Sequence, residues 1–346
     1  MDWVSLMMGA FHFELQKPVA RFGRSLLAAL ALLTVSVAFA SASPQDLLDA
    51  GRVDQAVQDL NRQIEVAPTA ASYNLLCRAQ FELGAWDAGI PDCEKAIELA
   101  PDNALYHLWL GRIYGEKADH TSFVHAVGLA KKVRAEFELA AEFDPNSCEV
   151  RTDLAEFYLE APGIVGGGKD KARVEVGKLE ALNPAMADWV KARLAEKNKD
   201  DAAAEREYQA AVTDSHGGAR AWFNLASFYR RTGRLDDMER ALHALESSRL
   251  DHPAALADGA SLVLRTGQDY ELGVRLLQRY LGTRTVEEAP AFKAHVMLGE
   301  LFENLGNTAA AVEEYRTALG MAHSNTVAQD GLRRLAQYVP ADHLVK

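Results

Sequence analysis

Large, small and aromatic residues recur along most of the chain at a spacing that places them on one side of a helix. The order is a large residue, then leucine and a small residue three and four positions later, then an aromatic residue. It occurs as His107-Leu110-Gly111-Tyr114, Trp222-Leu225-Ala226-Tyr229 and His295-Leu298-Gly299-Phe302, and less completely as Tyr73-Leu76-Cys77 and Leu154-Ala155-Tyr158. Such a repeated helical pattern predicts a row of stacked helical hairpins. An alternating strand pattern is not evident in the sequence, and a helical bundle without repeats remains the alternative fold.

A second signal marks the partner helix of each hairpin. A turn glycine is followed by a small residue five positions later and by a proline twelve positions after that, as in Gly51, Ala56 and Pro68. Pro68 and Pro101 stand about 33 residues apart, which is the length of one hairpin repeat. The last copy has His323 where the proline would be.

These two patterns resemble those of the tetratricopeptide repeat family, in which small residues lie where two antiparallel helices cross. The resemblance implies an all-α fold, a right-handed α-solenoid of stacked antiparallel helix pairs. It covers residues 43–346 as a single domain of about seven to eight repeats, some of them degenerate. Residues 326–338 are expected to form a terminal capping helix, because the last apolar face would otherwise meet water.

Two repeats carry extra residues between their helices. One extension runs over residues 115–130, and the other is the glycine-rich segment 161–168, which precedes a helix expected to begin near Lys169. Residues 163–169 nearly match a phosphate-binding P-loop, but Asp170 stands where that motif needs Ser or Thr for Mg²⁺. We interpret this loop as a connector, with an enzyme that uses loop 163–169 as the alternative. Together with an upstream Gly-Leu-Ala-Lys-Lys-Val segment, it resembles a group of exported bacterial tetratricopeptide proteins.

The N-terminal segment differs from the rest of the chain. Lys17, Arg21 and Arg24 precede an apolar run that ends in small residues around Ala40 and Ala42. This is the pattern of a secretory signal peptide, so residues 1–42 are expected to be a leader that is cleaved near Ala40 or Ala42. The apolar run is shorter than the roughly 20 residues of a spanning helix. Retention of the segment as a membrane anchor is the alternative.

Composition limits the partners of the protein. The 346 residues carry a net charge of −12, whereas nucleic acids and anionic membranes select basic surfaces. We therefore expect neither partner, and contact with a membrane only if the leader is uncleaved. The sequence predicts no catalytic, cofactor-binding or metal-binding residues, since its histidines and cysteines lack the spacing of such sites.

The cysteines leave two possibilities open. Cys77 stands at a helix-crossing position, and Cys93 belongs to the second helix of the same repeat. A crossing at small residues could bring their Cα atoms within disulfide distance, and export would permit oxidation. Two reduced core thiols are the alternative.

Function follows from the resemblance. In this family the first helix of each repeat lines a concave groove, which implies that groove residues bind other proteins or peptide segments rather than a small-molecule substrate. The corresponding positions here are Asn74, Arg78, Phe81, Leu108, Arg112, Trp189, Arg193, Arg220, Phe223 and Arg230. We therefore expect a non-enzymatic binding or scaffold protein of the bacterial cell envelope, periplasmic or secreted. A membrane-tethered assembly factor is the alternative.

Overall fold

The computed structural model describes residues 42–336, which lie within one compact unit of the chain. The predicted signal peptide therefore lies almost entirely outside the described residues. Among residues 42–336 no helix has both the length and the apolar character needed to cross a membrane.

The described residues form helices joined by short turns, together with one 3-10 turn at Gly163–Val165. The helices are α1 Pro44–Asp49, α2 Val53–Val66, α3 Ala70–Glu82, α4 Trp86–Leu99, α5 Ala104–Asp119, α6 Phe123–Phe143, α7 Cys148–Glu160, α8 Lys169–Leu182, α9 Pro184–Lys197, α10 Asp201–Asp214, α11 Ala219–Arg231, α12 Leu235–Ser247, α13 Ala254–Thr266, α14 Tyr270–Leu281, α15 Ala291–Asn304, α16 Thr308–Met321 and α17 Thr326–Leu335. Each odd-numbered helix from α1 to α15 packs against the even-numbered helix that follows it, and α17 packs on the last pair. The predicted all-α solenoid with a terminal capping helix is confirmed.

Small residues set how closely the two helices of a repeat approach. A Cβ added to Gly111 would lie 2.4 Å from the ring of Phe137, and one added to Gly299 would lie 2.5 Å from the ring of Tyr315. The ring of Tyr315 also lies against Gly331 of α17 on its other side, at 2.4 Å from an added Cβ. The small positions of the sequence pattern are therefore the contact points between helices.

Tyrosines of α7 and α11 couple their repeats to the preceding ones. Tyr158 in α7 donates a hydrogen bond of 2.9 Å to Glu138 in α6, and Tyr229 in α11 donates one of 2.8 Å to Glu205 in α10. The Nζ of Lys171 lies 5.1 Å from the ring centre of Tyr158. The aromatic position of the first helix thus carries a polar group that a neighbouring carboxylate satisfies, as buried hydroxyls require.

Substitution of Gly299 tests the close approach. Gly299→Ala should lower the free energy of unfolding by about 1–3 kcal/mol, because the new methyl group overlaps the ring of Tyr315. The matched control is Gly177→Ala in the middle of α8, where an added Cβ meets nothing within 4 Å. That change should stabilise the protein by about 0.5–1 kcal/mol. Denaturant titration followed by circular dichroism measures both, and equal shifts of the two midpoints would contradict the packing account.

Candidate functional site

The first and last repeats of the described residues contact each other. The Arg78 guanidinium of α3 donates from Nε to Glu287 Oε1 at 2.7 Å and from Nη2 to the second carboxylate oxygen. The Nζ of Lys293 in α15 donates to Glu82 at 2.7 Å. Only 13% of the Arg78 side chain and 6% of the Glu287 side chain are exposed, so this ion pair is buried.

Backbone groups and apolar side chains complete this closing contact. The Thr285 hydroxyl donates to the Asp49 carbonyl at 2.7 Å, and α2 packs against α16. Gly51 lies so close to α15 that an added Cβ would be 2.5 Å from the Ala291 nitrogen, and its φ of +69° favours glycine independently. Leu48 and Phe292 belong to one buried cluster that spans the contact. The stack of repeats therefore closes on itself.

Closure creates a cavity of about 490 Å³ on the inner side of the stack, which we call the central cavity. Helices α3, α5, α7, α9 and α13, the start of α11 and the loop before α15 all contribute to its wall. Its lining residues are Phe81, Glu82, Trp109, Arg112, Cys148, Glu149, Thr152, Asp153, Asn183, Met186, Arg220, His252, Ala254, Asp258 and Glu288. First helices of consecutive repeats therefore converge on one concave site.

The wall of the central cavity carries more negative than positive charge. Five carboxylates line it, against the two guanidinium groups of Arg112 and Arg220. Burial raises the pKa of Asp258 to about 6, and burial together with the nearby Glu149 carboxylate raises the pKa of Glu288. Burial and the positive charge of Arg220 lower the pKa of His252 to about 4, so this imidazole is neutral at pH 7. Carboxylates thus outnumber cations in the cavity wall, and burial makes some of them harder to ionise than free carboxylates.

Of the ten predicted groove residues, Phe81, Arg112 and Arg220 line the central cavity. The ring of Phe81 meets that of Trp109 edge to face, with centroids 5.4 Å apart. Arg112 is not free, because it donates to Asp153 and to Glu149 at 2.7 Å each. Its guanidinium therefore already has carboxylate partners.

The remaining predicted groove residues lie elsewhere. Asn74 and Leu108 are buried, at 2% and 1% exposure, so the expectation that they face the groove is not met. Arg78, expected to line the groove, is held in the closing contact. Four others are half-buried and do not line the cavity: Trp189, Arg193, Phe223 and Arg230. Of these, Arg193 pairs with Glu160 and Glu196.

Several cavity residues escaped the sequence reasoning. Trp109 stands one position after Leu108, so a register shift of one residue would have found it. Glu149 and Asp153 are the carboxylate partners of a predicted arginine and lie four residues apart on α7, which puts them on one helix face. Glu288 lies in a loop between repeats, and a repeat pattern carries no signal for such a position.

The glycine-rich loop uses its own backbone groups. The amide of Gly168 donates to the Tyr158 carbonyl at 2.8 Å, and the amide of Gly167 donates to the Pro162 carbonyl at 3.2 Å. A Cβ on Gly167 would lie 1.8 Å from the Ala161 oxygen, so the chain crosses itself tightly there. The Nζ of Lys169 donates to the Lys197 carbonyl at 2.8 Å. These amides already have partners, whereas a phosphate-binding loop needs its amides pointing at the ligand.

Cys77 and Cys93 are joined in the structure. Their Cα atoms lie 5.3 Å apart across the α3–α4 crossing, and both residues have 0% exposure. Cys148 is a free, half-buried thiol in the wall of the central cavity, where burial raises its pKa. The bridge stiffens the same helix that carries Arg78 of the closing contact.

The family model described as tetratricopeptide repeat matches residues 45–104, 190–237 and 259–325, about half of the chain. The chain belongs to the tetratricopeptide repeat family. Members of this family typically act as binding scaffolds rather than as enzymes, and generally mediate contacts between proteins. No curated protein sequence matches the chain.

Solved structures share the fold at low identity. Yeast Tom70 is 15% identical with a TM-score of 0.47, over 85% of this chain and 61% of that one. A tetratricopeptide repeat protein from Parabacteroides merdae is 14% identical with a TM-score of 0.43, over 85% and 96%. A chain of the APC/C hetero-tetramer Cut9-Hcn1 is 13% identical with a TM-score of 0.38, and this chain spans 54% of its length. At these identities the similarity concerns the fold alone.

The closing contact should make stability depend on pH through Glu82. Burial raises the pKa of Glu82 from 4.5 to about 7, despite the nearby Lys293 ammonium. Between these two pH values the folded state binds more protons than the unfolded state, so this group's contribution to stability falls as the pH rises from about 4.5 to 7.

Glu82→Gln should remove this pH dependence. Its free energy of unfolding should rise relative to that of wild type by up to about 3 kcal/mol between pH 4.5 and pH 8. Denaturant titrations at both pH values measure the difference. Glu98→Gln, at an exposed carboxylate on α4, is the control and should parallel wild type. Parallel pH profiles for wild type and Glu82→Gln would contradict the assignment.

The disulfide gives a second testable consequence. Protein purified under oxidising conditions and then denatured should show one reactive thiol, that of Cys148. Exchanging both bridged residues, Cys77→Ala with Cys93→Ala, should lower the free energy of unfolding by about 3 kcal/mol, because the loop closed by the bridge is 16 residues long. Three reactive thiols in the oxidised protein would exclude the bridge.

Proposed function

We propose that this protein is a non-enzymatic scaffold of the bacterial cell envelope that holds a segment of a partner protein in the central cavity. The observation that carries the proposal is the convergence of side chains from consecutive first helices on one concave site. Membership in a family of protein-binding scaffolds supports the same class of function. The cell-envelope location rests on the leader-like sequence of residues 1–42.

The charge of the cavity wall favours a cationic segment. Unpaired arginines at groove positions, such as Arg78 and Arg112, would favour a ligand carboxylate. Both guanidinium groups instead pair with carboxylates of the chain itself. The remaining cavity carboxylates include Asp258 and Glu288, whose pKa values are raised by burial although the positive charge of Arg220 partly offsets that effect. A lysine or arginine side chain would supply further positive charge.

Apolar surface beside the carboxylates suits the stem of such a side chain. Phe81, Trp109 and Met186 lie in the same wall. Long cationic side chains bury their methylene groups along apolar surface while the charged end reaches a polar partner. We therefore infer a partner segment with a basic residue next to apolar ones.

Peptide binding tests this function. Ten-residue peptides of matched hydrophobicity, with either lysine or glutamate at the centre, are titrated by fluorescence anisotropy. The lysine peptides should bind more tightly by at least tenfold. Asp258→Asn with Glu288→Gln should remove that preference. Binding should also strengthen from pH 5 to 8, because Asp258 loses its proton near pH 6 and a cation prefers the carboxylate.

The control exchanges carboxylates outside the cavity, Asp236→Asn with Glu271→Gln, and should bind like wild type. Tighter binding of the glutamate peptides would overturn the cationic preference, and binding of neither series would remove the support for the cavity as a peptide site. The proposed location is tested by N-terminal sequencing of protein recovered from the periplasmic fraction. A mature terminus near residue 41 or 43 is expected, and an intact leader in the membrane fraction would favour the tethered alternative.

A further inference from the structure

A second polar cluster lies on the side of the stack formed by α12 and α14. Glu239 and His243 stand four residues apart on α12, so they share one helix face. Asp269 precedes α14 as its N-cap. The Nε2 atom of His243 lies 3.8 Å from Glu239 Oε1 and 3.6 Å from Asp269 Oδ2. One imidazole nitrogen therefore faces two carboxylates from two different repeats.

The distances leave room between these groups. At 3.6 and 3.8 Å the imidazole nitrogen is beyond hydrogen-bond distance from both oxygens. Ligand atoms bound to Zn²⁺ at about 2.0–2.1 Å in a tetrahedral site lie about 3.3 Å from one another. The three ligand atoms all lie within 4.8 Å of one another, so small side-chain rotations would bring them to that geometry.

The other ring nitrogen of His243 has its own carboxylate. Its Nδ1 atom lies 3.5 Å from Glu246 Oε2. Arg275 donates to Glu246 at 2.6 Å, and this hydrogen bond fixes the position of the carboxylate. A histidine with one nitrogen toward the ligand set and the other toward a fixed carboxylate is the arrangement found at metal sites.

Asp269 is fixed in place. Its Oδ1 accepts a 2.9 Å hydrogen bond from the Leu272 amide, which leaves Oδ2 directed at His243. Helix α12 fixes the backbone of Glu239 and His243 in the same way. The ligand backbone is thus held before any ion binds, as a specific metal site requires.

We propose that Glu239, His243 and Asp269 bind a divalent transition-metal ion, with Zn²⁺ the best match, and that Glu246 orients His243 as the outer partner. One imidazole and two carboxylates suit Zn²⁺ better than Mg²⁺ or Ca²⁺, which prefer oxygen ligands alone. Water completes the coordination. The ion would link α12 to α14 and so join two consecutive repeats. This site is independent of the central cavity.

Titration of the tag-free full chain with ZnCl₂ by isothermal calorimetry tests the proposal. One ion per chain should bind with a micromolar dissociation constant, and the midpoint of thermal unfolding should rise with the Zn²⁺ concentration. His243→Gln and Asp269→Asn should each weaken binding by at least tenfold. Asn is as good an N-cap as Asp, so Asp269→Asn retains the α14 start. Glu246→Gln should weaken binding by about tenfold or more while every ligand remains.

His323→Gln is the matched control, because His323 is an exposed histidine that pairs with a single carboxylate, Asp54. It should bind Zn²⁺ like wild type. Absence of Zn²⁺ binding by wild type at millimolar concentration would overturn the proposal. So would unchanged affinity in both His243→Gln and Asp269→Asn, since binding would then reside elsewhere.

Discussion

The close approach of the two helices in each repeat is the constraint on which the rest of this structure depends. At two crossings a small residue of the first helix faces a large ring of the second, as Gly111 faces Phe137 and Gly299 faces Tyr315. At Cys77 the same crossing is close enough for a covalent bridge to Cys93. Because each repeat packs mainly on its neighbours, the inter-helix distance at these points sets the step from one repeat to the next.

This constraint explains why the fold could be read from the sequence. The small positions, the aromatic positions that pack on them and the helix starts near Lys169 and residue 326 are local features, and each is visible within one repeat. The degenerate fifth repeat keeps the small and aromatic positions at Ala204, Tyr208 and Ala211, which are buried to 0–1% exposure. Local consistency of this kind is what specifies a repeat architecture.

The site was predictable only in part, because it depends on the accumulated rotation over all the repeats. The pattern within a single repeat does not indicate that the last helix pair meets the first, so the pairing of Arg78 with Glu287 could not be predicted from it. Without that contact Arg78 would be an unpaired cation in the groove, and the groove would be expected to bind carboxylates. The contact removes one positive charge from the inner face and brings Glu288 into the cavity wall. The inferred partner segment is therefore cationic rather than anionic.

The metal-ligand cluster shows the same dependence on neighbours. Glu239 and His243 carry a signal in the sequence, since residues four apart on a helix share a face, but that spacing is common on solvated helices. The third group, Asp269, comes from the next repeat and is directed by the cap of its own helix. Only the step between the two repeats brings it to His243.

Closure also changes how the repeats share stability. In an open solenoid each repeat is stabilised by its neighbours alone, and the terminal repeats are the least protected. Here the first repeats are joined to the last ones by a buried ion pair and by apolar packing. Removing one partner of such a pair leaves an uncompensated buried charge, which is strongly unfavourable. Separation of the terminal repeats would thus expose Arg78 and Glu287 at the same time. Glu82 lies beside the same contact, so the stability of the joined terminal repeats is sensitive to protons.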